Sequence, residues 1–153
     1  MSVLCAIGLQ RGPELLQRLA LLLGTGQDLL LVYVIDTAPR EQWERTPRAF
    51  RPRPHAPAEH HRQMEEAEQR SSAIILAEAH SAAHQLGFVA AVRAERGNPE
   101  RILSQVAREV AATLMVVFAR ELADGHPLVG PPSVGHTARF VLDHAPCPVL
   151  LLR

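Results

Sequence analysis

Long apolar runs, a basic leader and a cysteine framework are all missing from this sequence, and each absence removes a class of protein. No stretch approaches the roughly 20 apolar residues that span a bilayer. The opening Met1-Ser2-Val3-Leu4-Cys5 has no basic segment and only a short apolar run. It does not read as a secretory signal, so a cytoplasmic protein with no membrane partner is expected. Cys5 and Cys147 are the only cysteines, too few for a disulfide or zinc framework. Two reduced, buried thiols are the expectation. Basic and acidic residues balance at 16 each, so no net field draws nucleic acid, a membrane surface or an acidic partner. The phosphate loop Gly-x-x-x-x-Gly-Lys-Ser/Thr and the nucleophile elbow Gly-x-Ser-x-Gly are both absent. Ser104 and Ser133 have no neighbouring base to activate them. With no catalytic set visible, binding rather than turnover is the expected activity, and slow hydrolysis of a bound ligand is the lesser alternative.

What is present is a chain of alternating strand and helix signals. Its 153 residues suit one domain, 1–153, and 47% hydrophobic residues exclude a disordered chain. Residues 3–7 form a short apolar strand. Pro13 then opens a helix whose stripe is Leu15, Leu16, Leu19, Ala20, Leu22 and Leu23, stopped by Gly24 and Gly26. Leu29-Leu30-Leu31-Val32-Tyr33-Val34-Ile35, within residues 28–36, is the strongest strand signal. A long helix fits residues 59–86, with Met64, Ala67, Ser71, Ile75, Ala79, Ala82 and Leu86 on one face and Gly87 as its stop. Residues 88–94 read as a third strand. Gly97-Asn98-Pro99 turns into a helix with the stripe Ile102, Leu103, Val106, Ala107, Val110 and Ala111. Residues 114–119 make a fourth strand, 135–143 a short helix and 148–153 the last strand. This β-α-β-α-β-α-β-α-β order predicts parallel strands, right-handed crossovers and helices on both faces.

Two long irregular segments interrupt the pattern. Residues 37–58 hold five prolines and the arginines Arg40, Arg45, Arg48, Arg51 and Arg53. That loop leaves the carboxyl end of the second strand. Its arginines can clamp phosphates, its Trp43 and Phe50 among arginines can contact RNA, and a solvated loop is the plainer reading. Residues 120–134 form the other. His80 and His84, four apart on one helix, have metal-compatible spacing but no His-Glu-x-x-His order and no evident third ligand, so no metal is expected.

The closing segment Gly135-His136-Thr137-Ala138-Arg139-Phe140-Val141-Leu142-Asp143-His144-Ala145-Pro146-Cys147-Pro148-Val149-Leu150-Leu151-Leu152 closely resembles that of universal stress proteins. There too a glycine opens a helix that ends in an Ala-Pro-Cys-Pro-Val-like corner before a final strand. Leu31-Val32-Tyr33-Val34-Ile35-Asp36, Gly97-Asn98-Pro99 with Ile102, and Ala111-Ala112-Thr113-Leu114-Met115-Val116-Val117 are similar to further family segments, in order and spacing. The resemblance implies a Rossmann-like α/β fold with a five-stranded parallel sheet in the order 3-2-1-4-5. It implies a crevice where that order reverses, at the carboxyl ends of strands 1 and 4. It implies an adenine nucleotide there, ATP included, with its base and ribose against strands 1 and 2. The phosphates then follow a Gly-x2-Gly-x9-Gly-Ser/Thr pattern after strand 4. It also implies a homodimer joined through the last strand.

Transferred to this chain, the nucleotide site comprises Ala6, Ile7, Gly8, Val34, Val117, Phe118, Gly125, Gly135, His136 and Thr137. Several of these depart from the family pattern. Gly8 stands where an acidic residue is usual, Phe118 and Glu121 align with the first two motif glycines, and His136 replaces the hydroxyl residue, although Thr137 follows. Gly125 lies ten positions before Gly135, as the second glycine should, with Leu122 in the first glycine's place. Phe118 therefore either stacks on a base or fills the space of one. His136 either touches a phosphate through its ring or contributes chiefly its backbone N–H at the helix start. The expected function is a small stress-response protein with an adenine nucleotide or similar anion as regulatory ligand. The alternative is an interaction module with a closed crevice, whose basic loop contacts protein or RNA.

Overall fold

The computed structural model describes residues 2–9, 11–37, 58–119 and 133–153. Five strands, β1 (Ser2–Ala6), β2 (Asp28–Asp36), β3 (Val89–Gly97), β4 (Leu114–Phe118) and β5 (Val149–Leu152), form one parallel sheet in the order β3-β2-β1-β4-β5. The helices among the described residues are α1 (Gly12–Leu23), α2 (Ala58–Gln85), α3 (Pro99–Glu109) and α4 (His136–His144). The α/β class and the strand order are those expected from the sequence.

Because neighbouring side chains on a strand point to opposite faces, the apolar strands feed two cores. Val3, Cys5, Leu31 and Val116 pack with Leu16 and Leu19 of α1 and with Ala79 of α2. Leu4, Val32, Met115 and Val117 pack on the other face with Val106 of α3 and Val141 of α4. Helix ends follow local chemistry. Pro13 sits in the first turn of α1, and Gly24, at φ 75°, closes it with its N–H donating to the carbonyl of Ala20 at 3.0 Å. The Asn98 side chain accepts from the Arg101 N–H at 3.1 Å and caps α3.

Three expectations needed correction. In α2 the buried line runs through Ser72, Leu76, Ala79 and Ala83, whereas Met64, Ala67 and Ser71 are exposed. The Ser72 hydroxyl tolerates burial because it donates to the Gln69 carbonyl at 2.8 Å. In α1 the buried stripe stops at Leu19. Leu21, Leu22 and Leu23 are exposed. The third strand runs on through Glu95 and Arg96 to Gly97, paired along its whole length with β2. Charge is tolerated on this edge strand because it is paired: Arg93 and Glu95 share one face, and Arg93 also meets Glu109 at the end of α3. The long segments fall largely outside the described residues, at 38–57 and 120–132.

Candidate functional site

The chain enters helices from β1 and β4 on opposite sides of the sheet, so their carboxyl ends part and leave a crevice between them. The Ile7 N–H still donates to the Val32 carbonyl at 2.8 Å, and the Ala119 N–H to the Leu152 carbonyl at 2.8 Å. Beyond these bonds the strands separate. A cavity of about 410 Å³ opens there. Ala6, Val32, Val34 and Val117 form its sheet side, and Leu103 of α3 and Ala138 of α4 its helix side. Gly8 stands at the mouth, and a Cβ built on it meets nothing within 4 Å.

A cation over an aromatic ring completes the lining. The Arg11 guanidinium carbon lies 4.0 Å from the centroid of the Phe118 ring. Arg11 is held there by Glu14, with Nε 2.7 Å from Oε2 and Nη2 2.8 Å from Oε1. Arg18 binds the same carboxylate at 2.7 Å and reaches over the ring at 5.8 Å. It also donates to the Arg153 carbonyl. The Arg11 hydrogen bond outweighs an upward push from burial and, with the lesser pulls of the Arg11 and Arg18 charges, holds the Glu14 carboxyl below its usual range. Among the described lining residues, Arg11 is the one that carries a charge.

At the far end stands the start of α4. Gly135 precedes it at φ 91°, a conformation that favours glycine; its N–H donates to Ser133 Oγ at 3.2 Å, and as the cap residue it has no side chain to bond the first turn. The helix therefore offers backbone N–H groups and the positive end of its dipole toward the side of the cavity that Thr137 lines. The His136 ring turns outward, 85% exposed, and its Nε2 lies 3.0 Å from Oε1 of Glu100 in the first turn of α3.

Of the residues singled out from the sequence, Ala6, Ile7, Gly8, Val34, Val117, Phe118 and Thr137 all line this one cavity. Gly135 and His136 adjoin it at the start of α4 rather than line it. Gly125 lies outside the described residues. The reading from sequence passed over Arg11, Val32 and Leu103. Arg11 left a signal, a cation just past the end of the switch-point strand. His80 and His84 flank a separate hollow beside Phe88 and Val89, and no group of three metal-ligating residues occurs among the described residues. Cys5 is buried and its thiol is pushed up to about 12 by burial. Cys147 is only half-buried, and burial raises it too. Among the described residues no helix is long and apolar enough to cross a membrane.

A family model described as "Universal stress protein family" matches residues 1–153. The chain belongs to the universal stress protein family. Solved structures carry the same fold. The universal stress protein UspA from Lactobacillus plantarum is 18% identical, with 100% of this chain and 97% of that one covered and a TM-score of 0.67. A family protein from Arabidopsis thaliana, solved with AMP bound, is 17% identical over 99% of this chain and 90% of its own, with a TM-score of 0.64. The universal stress protein from Archaeoglobus fulgidus in complex with dAMP is 18% identical over 100% and 98%, with a TM-score of 0.59. No curated protein matches the sequence at a significant level. At these identities the universal stress protein neighbours establish the fold alone.

Proposed function

We propose that the crevice binds an adenine nucleotide as a regulatory ligand. The observation that carries this is the pairing of an apolar slot with a helix start whose cap residue is glycine. The sheet-side wall of Ala6, Val34 and Val117 suits a flat base, and the first turn of α4 suits a phosphate. Backbone N–H groups of His136 and Thr137, joined by that of Gly135 once it leaves Ser133 Oγ at 3.2 Å, hold that phosphate and need no particular side chain, so the loss of the family hydroxyl at His136 leaves the site usable. Gly8 supplies no carboxylate, and ATP binds more weakly than in relatives that keep the acid. The AMP and dAMP in the structures of two neighbours support this reading. So does the crevice, which is open among the described residues. The reading includes a stress-response role in the cytoplasm and a homodimer closed through β5.

The experiment is mass spectrometry of the small molecules released when the purified protein is denatured, followed by calorimetric titration with AMP and ATP. An adenine nucleotide in stoichiometric amount, or saturable binding of AMP, supports the proposal. No nucleotide released and no heat of binding for either ligand overturns it.

A further inference from the structure

The wall made by Arg11 and Phe118 includes a departure from the family pattern, since Phe118 stands at a motif glycine position, and Arg11 follows the end of β1 three residues after Gly8. We infer that the Arg11 guanidinium is the stacking platform for the ligand's planar base, sandwiched between that base and the Phe118 ring. The inference rests on the crevice being a nucleotide site and adds which surface reads the base.

Three observations carry it. Arg11 borders the cavity, and one face of its guanidinium already lies on an aromatic ring at 4.0 Å. Glu14 takes Nε and Nη2 in a two-pronged pairing, which fixes the plane of the guanidinium. A guanidinium so held presents its flat, weakly hydrated face, and such faces stack on π systems. The side chain is about one-fifth exposed, so it is ordered by its neighbours rather than swinging in water. Phe118 then neither stacks directly on the base nor fills its place: it supports the residue that does.

The test compares AMP affinity of the wild type, Arg11→Lys and Arg11→Ala, with thermal melts to confirm folding. Lysine keeps the charge beside Glu14 but has no plane. Both variants are expected to lose affinity by about 2- to 30-fold. A second measurement uses adenosine, which has no phosphate: Arg11→Lys is expected to lose affinity for adenosine by about the same factor as for AMP. Wild-type affinity in Arg11→Lys means charge alone matters and overturns the inference. Unchanged affinity in both variants, or a loss seen for AMP and not for adenosine, overturns it while the nucleotide reading stands. Failure of the wild type to bind AMP removes that reading and this inference together.

Discussion

Nε2 of His136 lies 3.0 Å from Oε1 of Glu100, which ties the first turn of α4 to the first turn of α3. The histidine is exposed and the carboxylate largely buried, at 85% and 13% of side-chain exposure. A fixed negative charge thus sits beside the helix start assigned to the phosphate.

Glu100→Gln should therefore strengthen AMP binding, by roughly threefold at low ionic strength, with the gain shrinking as salt screens the charge. The same change removes an acid from the first turn of α3 and should cost about 0.3–1 kcal/mol of stability. Calorimetry at two salt concentrations and a denaturant melt read the two effects separately. Weaker binding in the variant would instead make Glu100 a ligand contact.

Gly97 closes β3 with φ 148°, and a Cβ there would lie 3.2 Å from Cγ1 and 3.3 Å from Cδ1 of Ile102. Its carbonyl also accepts from the Thr37 N–H at 3.2 Å. Gly97→Ala should destabilise the fold by about 1–3 kcal/mol, since both the backbone and the contact resist a side chain. Chemical denaturation measures it, and a change under about 0.5 kcal/mol contradicts the assigned geometry.

Alkaline pH should unfold this protein through its thiols. The sequence contains no lysine, so only Cys5, Cys147 and Tyr33 among the side chains titrate between neutrality and the arginines. Cys5 moves from 9.0 to about 12 on burial, and burial, helped by the charge of Glu68, also raises Tyr33. Below pH 9 the thiol keeps its proton in both states. Above it the unfolded chain releases the proton while the folded chain retains it, so stability falls as pH rises. The slope from Cys5 alone is at most about 1.4 kcal/mol per pH unit. Cys5→Ala should flatten the decline between pH 9 and about 11. An unchanged slope in that variant contradicts the burial of Cys5.

β5 is an apolar edge strand, and such edges pair or aggregate unless covered. We propose that two chains join through it in a two-fold dimer. Light scattering at micromolar concentration should return twice the chain mass, and a clean monomer there removes the dimer.

The fold was readable because its strands are apolar runs separated by helical stripes, and because glycine and proline punctuate them. Gly24, Asn98 and Pro99 act where their local chemistry predicts. The phase of α2 was not readable: alanine and serine dominate its middle, and their small size blurs which face is apolar. Choosing Ser72 over Ser71 as the buried residue takes knowledge of the neighbouring helix and strand. At the crevice, residues adjacent to strand ends were found from the topology. Arg11 was not, because its role depends on Glu14 one turn on and on Phe118, a hundred residues away in the chain, meeting it in space.

The most direct measurement is calorimetric titration of Thr137→Asp with AMP beside the wild type. Aspartate in the first turn of α4 favours the helix through its dipole, so the variant should fold with an unchanged or higher Tm. It also places a carboxylate where the phosphate belongs. Saturable AMP binding by the wild type is expected, with at least about a tenfold loss in the variant, a cost of about 1.4 kcal/mol or more. AMP binding that survives Thr137→Asp unchanged would place the ligand away from the start of α4 and contradict the proposed site.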